Sequence, residues 1–156
     1  MKLQTLLITA SLALGIGLVV FTNVCPCGPV PGLWLFGEEP ETKVEDWSFA
    51  NDREVAPLCQ VQITTWRPHS INLNCMSEGG SLYISCSNCA EKSWSNSALH
   101  YPDGHIRVGE TLYPVVLERL TNAQDLDIAW SARLLKIGAE RAPRPDHWWS
   151  FRLTAR

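Results

Sequence analysis

The sequence has no surplus of positive charge, and it lacks the short motifs that mark the commonest phosphate-binding, hydrolytic and zinc-dependent sites. Its formal net charge is −3 at pH 7, which excludes recruitment of nucleic acid by bulk electrostatics. No Gly-x-Ser-x-Gly elbow, Walker loop or His-Glu-x-x-His is present. The histidines are too scattered for their spacing to predict a metal site: His69, His100, His105 and His147.

Charge is almost absent from the first 24 residues, where Lys2 is the only charged side chain. The predominantly apolar run from Leu3 to Val24 follows it. At 1.5 Å of rise per residue, a helix of about 20 apolar residues matches a hydrocarbon core about 30 Å thick. The sequence therefore predicts a transmembrane anchor over residues 1–24, which contacts the lipid bilayer through residues 3–24.

A cleaved secretory signal and a lipid anchor at Cys25 are the alternatives to an uncleaved span. A signal has a shorter apolar core of about 7 to 15 residues and ends at a small-x-small site. Here no Ala-x-Ala precedes Cys25, and the residue before it is Val24. The first charges after the span are acidic, namely Glu38, Glu39 and Glu41, so the positive-inside tendency places the body on the periplasmic side of a single-pass anchor.

The rest of the chain, about 130 residues, has the length of one domain. Three prolines and two glycines crowd residues 25–32, which opposes both helix and strand. We therefore predict a juxtamembrane linker over residues 25–45 and a folded domain over residues 46–156. Trp34 and Phe36, close to the span, are candidates either for the headgroup level or for docking onto the domain.

The six cysteines leave three interpretations open: Cys25, Cys27, Cys59, Cys75, Cys86 and Cys89. They are compatible with disulfides if the body lies in an oxidising compartment. The interpretation that we favour is that they are unpaired, scattered small buried residues. The Cys86-x-x-Cys89 spacing also admits a metal or redox site, although a metal site would have to join the linker to a loop of the domain.

The central part of the chain alternates apolar and polar residues as strands do, and helical patterns interrupt it twice. The Gly79-Gly80 pair predicts a hairpin turn. Asn88 with Glu91, and Thr121 with Gln124, have the spacing of a capping box. The resulting elements are strands 55–66, 70–76 and 81–85, a helix of about twelve residues from 88, a hairpin of 105–108 and 111–119, a helix from 121 to 138, and a strand 147–153. This order predicts a mainly β fold, an antiparallel split barrel with two helices.

Three segments resemble the flavin-binding split-barrel proteins of the pyridoxamine phosphate oxidase-like superfamily, which includes nitroreductase-like and deazaflavin-dependent members. They are Gly80-Ser-Leu-Tyr-Ile-Ser-Cys86, Glu91-Lys-Ser-Trp-Ser-Asn96 and Tyr101-Pro-Asp-Gly-His-Ile-Arg-Val-Gly-Glu-Thr-Leu-Tyr113. The resemblance covers roughly residues 31 to 155. It implies FMN or a related flavin as cofactor, an oxidoreductase-like activity, and a homodimer with the cofactor at the subunit interface.

The resemblance also implies that basic and hydroxyl side chains hold the cofactor phosphate. The matching positions are Thr64, Thr65, Arg67, Lys92, Ser93, Trp94 and Asn96. A helix N-terminus beside Lys92 suits an anion, and Trp94 suits a planar ring. Deazaflavin-using relatives carry a Gly- and Lys-rich turn after the paired threonines, whereas this chain has Trp66-Arg67-Pro68.

Three functional hypotheses follow. The first is a membrane-anchored flavin-dependent oxidoreductase. The second is a cofactor-free accessory subunit of a membrane complex on the same barrel, which the altered turn and the seven tryptophans favour because tryptophan is enriched at interface hot spots. The third is a cysteine-based redox or metal module.

Overall fold

A computed structural model of the chain describes residues 7–17, 26 and 30–156. Most of its regular structure is β, as predicted. The elements in chain order are helix α1 (residues 7–17), 3-10 helix η1 (Ser48–Asn51), strands β1 (Cys59–Ile63), β2 (His69–Leu73), β3 (Cys75–Glu78) and β4 (Ser81–Ser87), 3-10 helix η2 (Cys89–Glu91), helix α2 (Ser93–His100), strands β5 (Asp103–Val108) and β6 (Thr111–Arg119), helix α3 (Ala123–Ile137) and strand β7 (Trp148–Ala155).

All seven strands in the described part of the chain form one antiparallel sheet, with the order β2-β1-β5-β6-β7-β4-β3. The edge strands β2 and β3 are separated in sequence by Asn74 alone. Because consecutive Cα atoms are about 3.8 Å apart, the ends of these two edges must be close in space. The sheet therefore curls into a half-barrel, in agreement with the predicted antiparallel barrel.

The prediction of one strand over residues 70–76 is wrong, because the chain bends at Asn74. Its first part pairs with β1, with Ser70 opposite Gln62, and its second part pairs with β4, with Ser77 opposite Leu82. Alternation of apolar and polar residues continues through such a bend, so the pattern does not reveal it. The first predicted strand is also shorter, since Pro57 has no N–H for a ladder and β1 begins only at Cys59.

The inner face of the sheet forms the main core, with completely or almost completely buried side chains from every part of the barrel, such as Val61, Ile84, Ile106 and Phe151. Gly104 permits the close approach of β5 to β1, because a Cβ at this position would collide with the backbone oxygen of Gln62. The predicted hairpin turn is confirmed, since Gly79 and Gly80 have φ of 56° and 77°.

Helix α3 covers the outer face of β3 and β4 through a second buried cluster, made by Met76, Tyr83, Leu120, Ala129 and Ala132. The predicted cap Thr121 is wrong by one residue. Asn122 caps the helix, and its side-chain oxygen accepts hydrogen bonds from the N–H groups of Gln124 (2.8 Å) and Asp125 (3.4 Å). Gly138 ends the helix at φ 66°, as predicted.

The predicted start of the preceding helix at Asn88 is wrong. Asn88 has φ 50° and makes no side-chain cap, and the chain first forms the single turn η2. Helix α2 begins only at Ser93, after Lys92 in an extended conformation. Asparagine tolerates the left-handed conformation, which is why it also suits this turn and mimics a cap in the sequence.

Four of the six cysteines form disulfides, so the disulfide interpretation holds for them. Cys59–Cys75 joins β1 to β3, with 5.7 Å between the Cα atoms, and Cys86–Cys89 closes a short loop after β4. All four are buried. Cys25 and Cys27 lie outside the described residues. Within the described ranges, no three His, Cys, Asp or Glu residues are grouped so that they could hold a metal ion.

The segment of residues 30–47, here called the strap, crosses most of the sheet. Gly32 exchanges backbone hydrogen bonds with Ser70 of β2 (2.9 and 2.8 Å). Further on, the Leu35 N–H donates to the side chain of Gln62 (2.5 Å), and the Leu112 N–H donates to the Glu38 carbonyl (3.0 Å). The strap ends where the Trp47 N–H donates to Gly80 O (3.1 Å), and η1 follows directly.

Helix α1 covers the middle of the predicted anchor. Its large apolar side chains are 57% to 78% exposed: Leu7, Ile8, Leu12, Leu14 and Ile16. The remainder of the predicted span, residues 1–6 and 18–24, lies outside the described residues. Over residues 7–17, 26 and 30–156, no helix has the length and apolar character needed to cross a bilayer.

Candidate functional site

The predicted residues Thr64, Thr65 and Arg67 lie on the loop that connects β1 to β2. The Thr64 N–H donates to the Asp103 carbonyl (3.0 Å), which fixes the start of the loop against β5. The Thr65 hydroxyl donates to the Arg67 carbonyl (2.6 Å) and closes a tight turn. The side chains of Thr64 and Arg67 are exposed, so a hydroxyl and a guanidinium are available to an anion here.

Lys92, Ser93 and Asn96 lie at the start of α2. Lys92 and Ser93 are exposed, and no side chain caps this helix end, so it suits an anion. The Asn96 side-chain amide is already occupied, because it donates to the carbonyls of Ala90 (2.8 Å) and Lys92 (2.9 Å). Asn96 therefore stabilises the turn before the helix.

Trp94 lies in the main core. It is only 4% exposed, and its ring centroid is 5.5 Å from that of Phe151 on β7. In this arrangement its faces are covered by protein, and the ring is not presented to a ligand at the surface.

The structure does not bring the two predicted groups to one point. The β1–β2 loop contacts Asp103, which follows the C-terminal end of α2, whereas Lys92 and Ser93 lie at the other end of that helix. Eight residues at 1.5 Å of rise separate the two ends by about 12 Å. The two groups are thus attached near opposite ends of α2, a separation that a ligand as long as a nucleotide can span.

A groove at one end of the half-barrel is a further candidate that the sequence did not indicate. Two adjoining cavities of 390 and 200 Å³ share Lys43, Val44 and Ala155 in their walls. Arg152 and the buried Trp47 contribute to the larger one. The larger volume lies within the range of small-molecule sites. Lys43 and Arg152 are far apart in sequence and meet only because the strap lies beside β7, so no local motif marks this groove.

The outer face of β1, β2 and β5 is polar and lies beneath the strap. Gln62 and Ser70 are buried there, and His105 is half-buried with its Nε2 3.8 Å from a carboxylate oxygen of Glu39. Burial lowers the pKa of His105, and the charge of Glu39 partly opposes this effect. The strap covers part of this face, and the Gln62 side chain holds it there by accepting the Leu35 N–H.

Lys136 is a buried cation, and no local motif in the sequence marks it. Its Nζ donates hydrogen bonds to the carbonyls of Ala50 (2.5 Å) and Ala56 (2.8 Å) and lies 3.7 Å from Cys75 Sγ. Burial lowers its pKa to about 8, the charge of Arg53 adds to this effect, and that of Asp52 opposes it. The bonds tie α3 to the chain around η1, which is a structural role.

Several solved structures have a fold similar to that of this chain. One solved structure that shares it is a provisionally named 5-nitroimidazole antibiotic resistance protein from Bacteroides thetaiotaomicron, with a TM-score of 0.55, 12% identity, and coverage of 73% of this chain and 82% of that one. Another is a provisionally named pyridoxamine 5'-phosphate oxidase from Listeria innocua, with a TM-score of 0.52, 8% identity, and coverage of 63% and 82%.

At these identities the likeness defines the fold class and no activity. No protein-family model matches the sequence, and no curated protein aligns with it. The predicted fold resemblance is thus confirmed, while the cofactor and the reaction it implies are matters for experiment.

Proposed function

We propose that this protein is a flavin-binding split-barrel protein that a single N-terminal span holds at the membrane. The observation that carries the flavin proposal is the fold, because the similar structures include a protein named as a pyridoxamine 5'-phosphate oxidase. A bound flavin supplies the electron-transfer chemistry, and the chain supplies binding and position. The reaction class is therefore that of a flavin-dependent oxidoreductase acting at the membrane.

The exposed residues of the β1–β2 loop and of the α2 N-terminus fit part of such a ligand. Arg67 and Thr64 offer one cation and one hydroxyl, and Lys92 and Ser93 offer a second such pair. We expect the phosphate of the flavin to bind to one of these two cation–hydroxyl pairs. The buried ring of Trp94 does not fit a role beside the isoalloxazine, so the ring must be held elsewhere on the chain or by a second subunit.

Helix α1 supports the membrane proposal. Its large apolar side chains are exposed and it contains no charged residue, and a helix without a charged or strongly polar face is normally buried in a protein or a membrane. The sequence extends this apolar character from Leu3 to Val24, which is the length of a span.

The flavin proposal is tested with the full chain purified in detergent. We expect absorption bands between about 350 and 500 nm from bound flavin, and quenching of FMN fluorescence when protein is titrated into free FMN. Arg67→Ala and Lys92→Ala should weaken FMN binding, and the one with the larger effect identifies the phosphate pair. Lys43→Ala is the matched control, since Lys43 lines the separate groove.

A colourless protein that leaves FMN fluorescence unchanged at micromolar concentration rejects the flavin proposal. If only Lys43→Ala weakens binding, a flavin binds but in the groove. The second candidate function, a cofactor-free accessory subunit of a membrane complex, is the better one only if no flavin binds at all. The burial of Trp94 and the local bonding of Asn96 favour that candidate, because both side chains are used within the fold.

A further inference from the structure

The strap fixes two aromatic side chains at the surface. Gly32 is held by β2 and Leu35 by Gln62, and Leu35 is buried at 6% exposure. The Phe36 carbonyl accepts a hydrogen bond from Arg107 (3.1 Å). Trp34, which lies between Gly32 and Leu35, is 43% exposed, and Phe36, which follows Leu35, is 60% exposed. Large aromatic groups are thus presented to the outside by a segment that is itself bound to the sheet.

The β1–β2 loop presents a third aromatic ring on the same side of the molecule. Trp66 is 91% exposed, although the turn that carries it is closed by the Thr65–Arg67 hydrogen bond and followed by the buried Pro68. Trp66 is four residues before Ser70, which is paired with Gly32 of the strap. The loop tip therefore lies next to the first part of the strap.

The covalent chain limits how far this surface can be from the predicted span. Five residues lie between Val24 and Val30, so the six steps along the chain, at 3.3–3.6 Å each, reach about 20 Å at most. Within this stretch the Pro26 carbonyl accepts hydrogen bonds from the side chains of Gln60 (3.3 Å) and Asn72 (2.9 Å). Val30 is itself 56% exposed, and it is two residues before Gly32. The surface formed by Val30, Trp34, Phe36 and Trp66, here called the aromatic surface, therefore lies beside β1 and β2, the strands that also hold the chain next to the predicted span.

We propose that the aromatic surface contacts the headgroup region of the lipid bilayer, with the Trp66 ring inserted between lipids. Tryptophan is enriched at membrane–water interfaces, where its apolar body and polar N–H are both satisfied. The neighbouring Arg67 is exposed and can extend its guanidinium to lipid phosphates. This orientation rests on the proposed N-terminal span, and it fixes which side of the barrel faces the membrane.

The test uses the full chain reconstituted into phosphatidylcholine vesicles, with and without brominated acyl chains that quench nearby tryptophan. We expect bromolipid to reduce the intrinsic fluorescence of the wild type, and Trp66→Phe to abolish the larger part of that reduction. Trp148→Phe is the matched control, because Trp148 lies on β7 beside Trp130. It should leave the reduction by bromolipid unchanged. Circular dichroism of both variants establishes that each is folded.

Two results separate this proposal from the proposal of a span. If the chain does not float with the vesicles after alkaline washing, the span is rejected and the orientation with it. If the chain floats but Trp66→Phe is quenched by bromolipid as strongly as the wild type, only the orientation is rejected. Strong quenching of Trp66 by acrylamide in the vesicle-bound protein leads to the same rejection, since it places the ring in water.

Discussion

At the scale of single residues, Lys136 is the side chain whose environment departs furthest from that of its type. A fully buried lysine is rare unless its charge is paired, and here two carbonyls and a disulfide sulfur surround the Nζ. Its pKa, lowered by burial to about 8, lies below the value of an unfolded lysine near 10.5. Between these two values the unfolded chain binds more protons than the folded one, so the free energy of unfolding rises with pH.

We therefore expect the wild-type protein to become more stable from pH 8 to pH 10.5, by up to about 3 kcal/mol at 1.36 kcal/mol per pKa unit. Urea unfolding at several pH values measures this rise. Lys136→Met should remove the rise, whereas Lys92→Met, at an exposed lysine, should keep it. An equal rise in Lys136→Met would mean that other groups cause it.

Residue-scale prediction from the sequence succeeded where a local motif determines the conformation and failed where the partner is remote. Gly79, Gly80 and Gly138 were placed correctly, because only their immediate backbone matters. Lys136 was not selected, since Ala50 and Ala56, its partners, are about eighty residues away in the chain. Nothing in the sequence near Lys136 differs from that of a solvated lysine.

At the scale of elements, the N-cap residue of α3 differs from the predicted one. Thr121 has the expected spacing to Gln124, but the side-chain bonds are made by Asn122. We expect Asn122→Ala to destabilise the protein by about 1 kcal/mol, the usual cost of losing an N-cap. Thr121→Ala should change the free energy of unfolding by much less. The reverse order of the two costs, measured by thermal or urea unfolding, would restore Thr121 as the cap.

The order and type of the elements were largely predictable, because alternation of apolar residues and turn glycines are local signals. The bend at Asn74 was not, since the residues on both sides keep a strand pattern while pairing with opposite edges of the sheet. Prediction of the candidate site from the sequence is limited in the same way. The sequence places Arg67 after the first strand and Lys92 within a helix, whereas Lys92 directly precedes α2, and the separation of the two residues depends on how the elements are arranged in space.

At the scale of the whole molecule, the Cys59–Cys75 disulfide links strands near the two opposite edges of the sheet. It therefore holds the half-barrel closed, in addition to the bend at Asn74. In the chain-entropy treatment a loop of about 16 residues is worth about 3 kcal/mol, and the shorter Cys86–Cys89 loop about 2 kcal/mol.

We expect Cys59→Ala/Cys75→Ala to lower the free energy of unfolding by about 3 kcal/mol and Cys86→Ala/Cys89→Ala by about 2 kcal/mol. Urea unfolding of the two double variants beside the wild type gives both values. If the second pair costs more than the first, loop entropy does not govern these cross-links.

The central position of β7 has a consequence for biosynthesis. This strand, made after all the others, lies between β6 and β4 and joins the β2-β1-β5-β6 part of the sheet to the β4-β3 hairpin. Until residues 148–155 have left the ribosome, both parts present unpaired strand edges, and such edges favour aggregation. Completion of the sheet is therefore a late event, and until then the edges of β6 and β4 stay open to pairing with other chains.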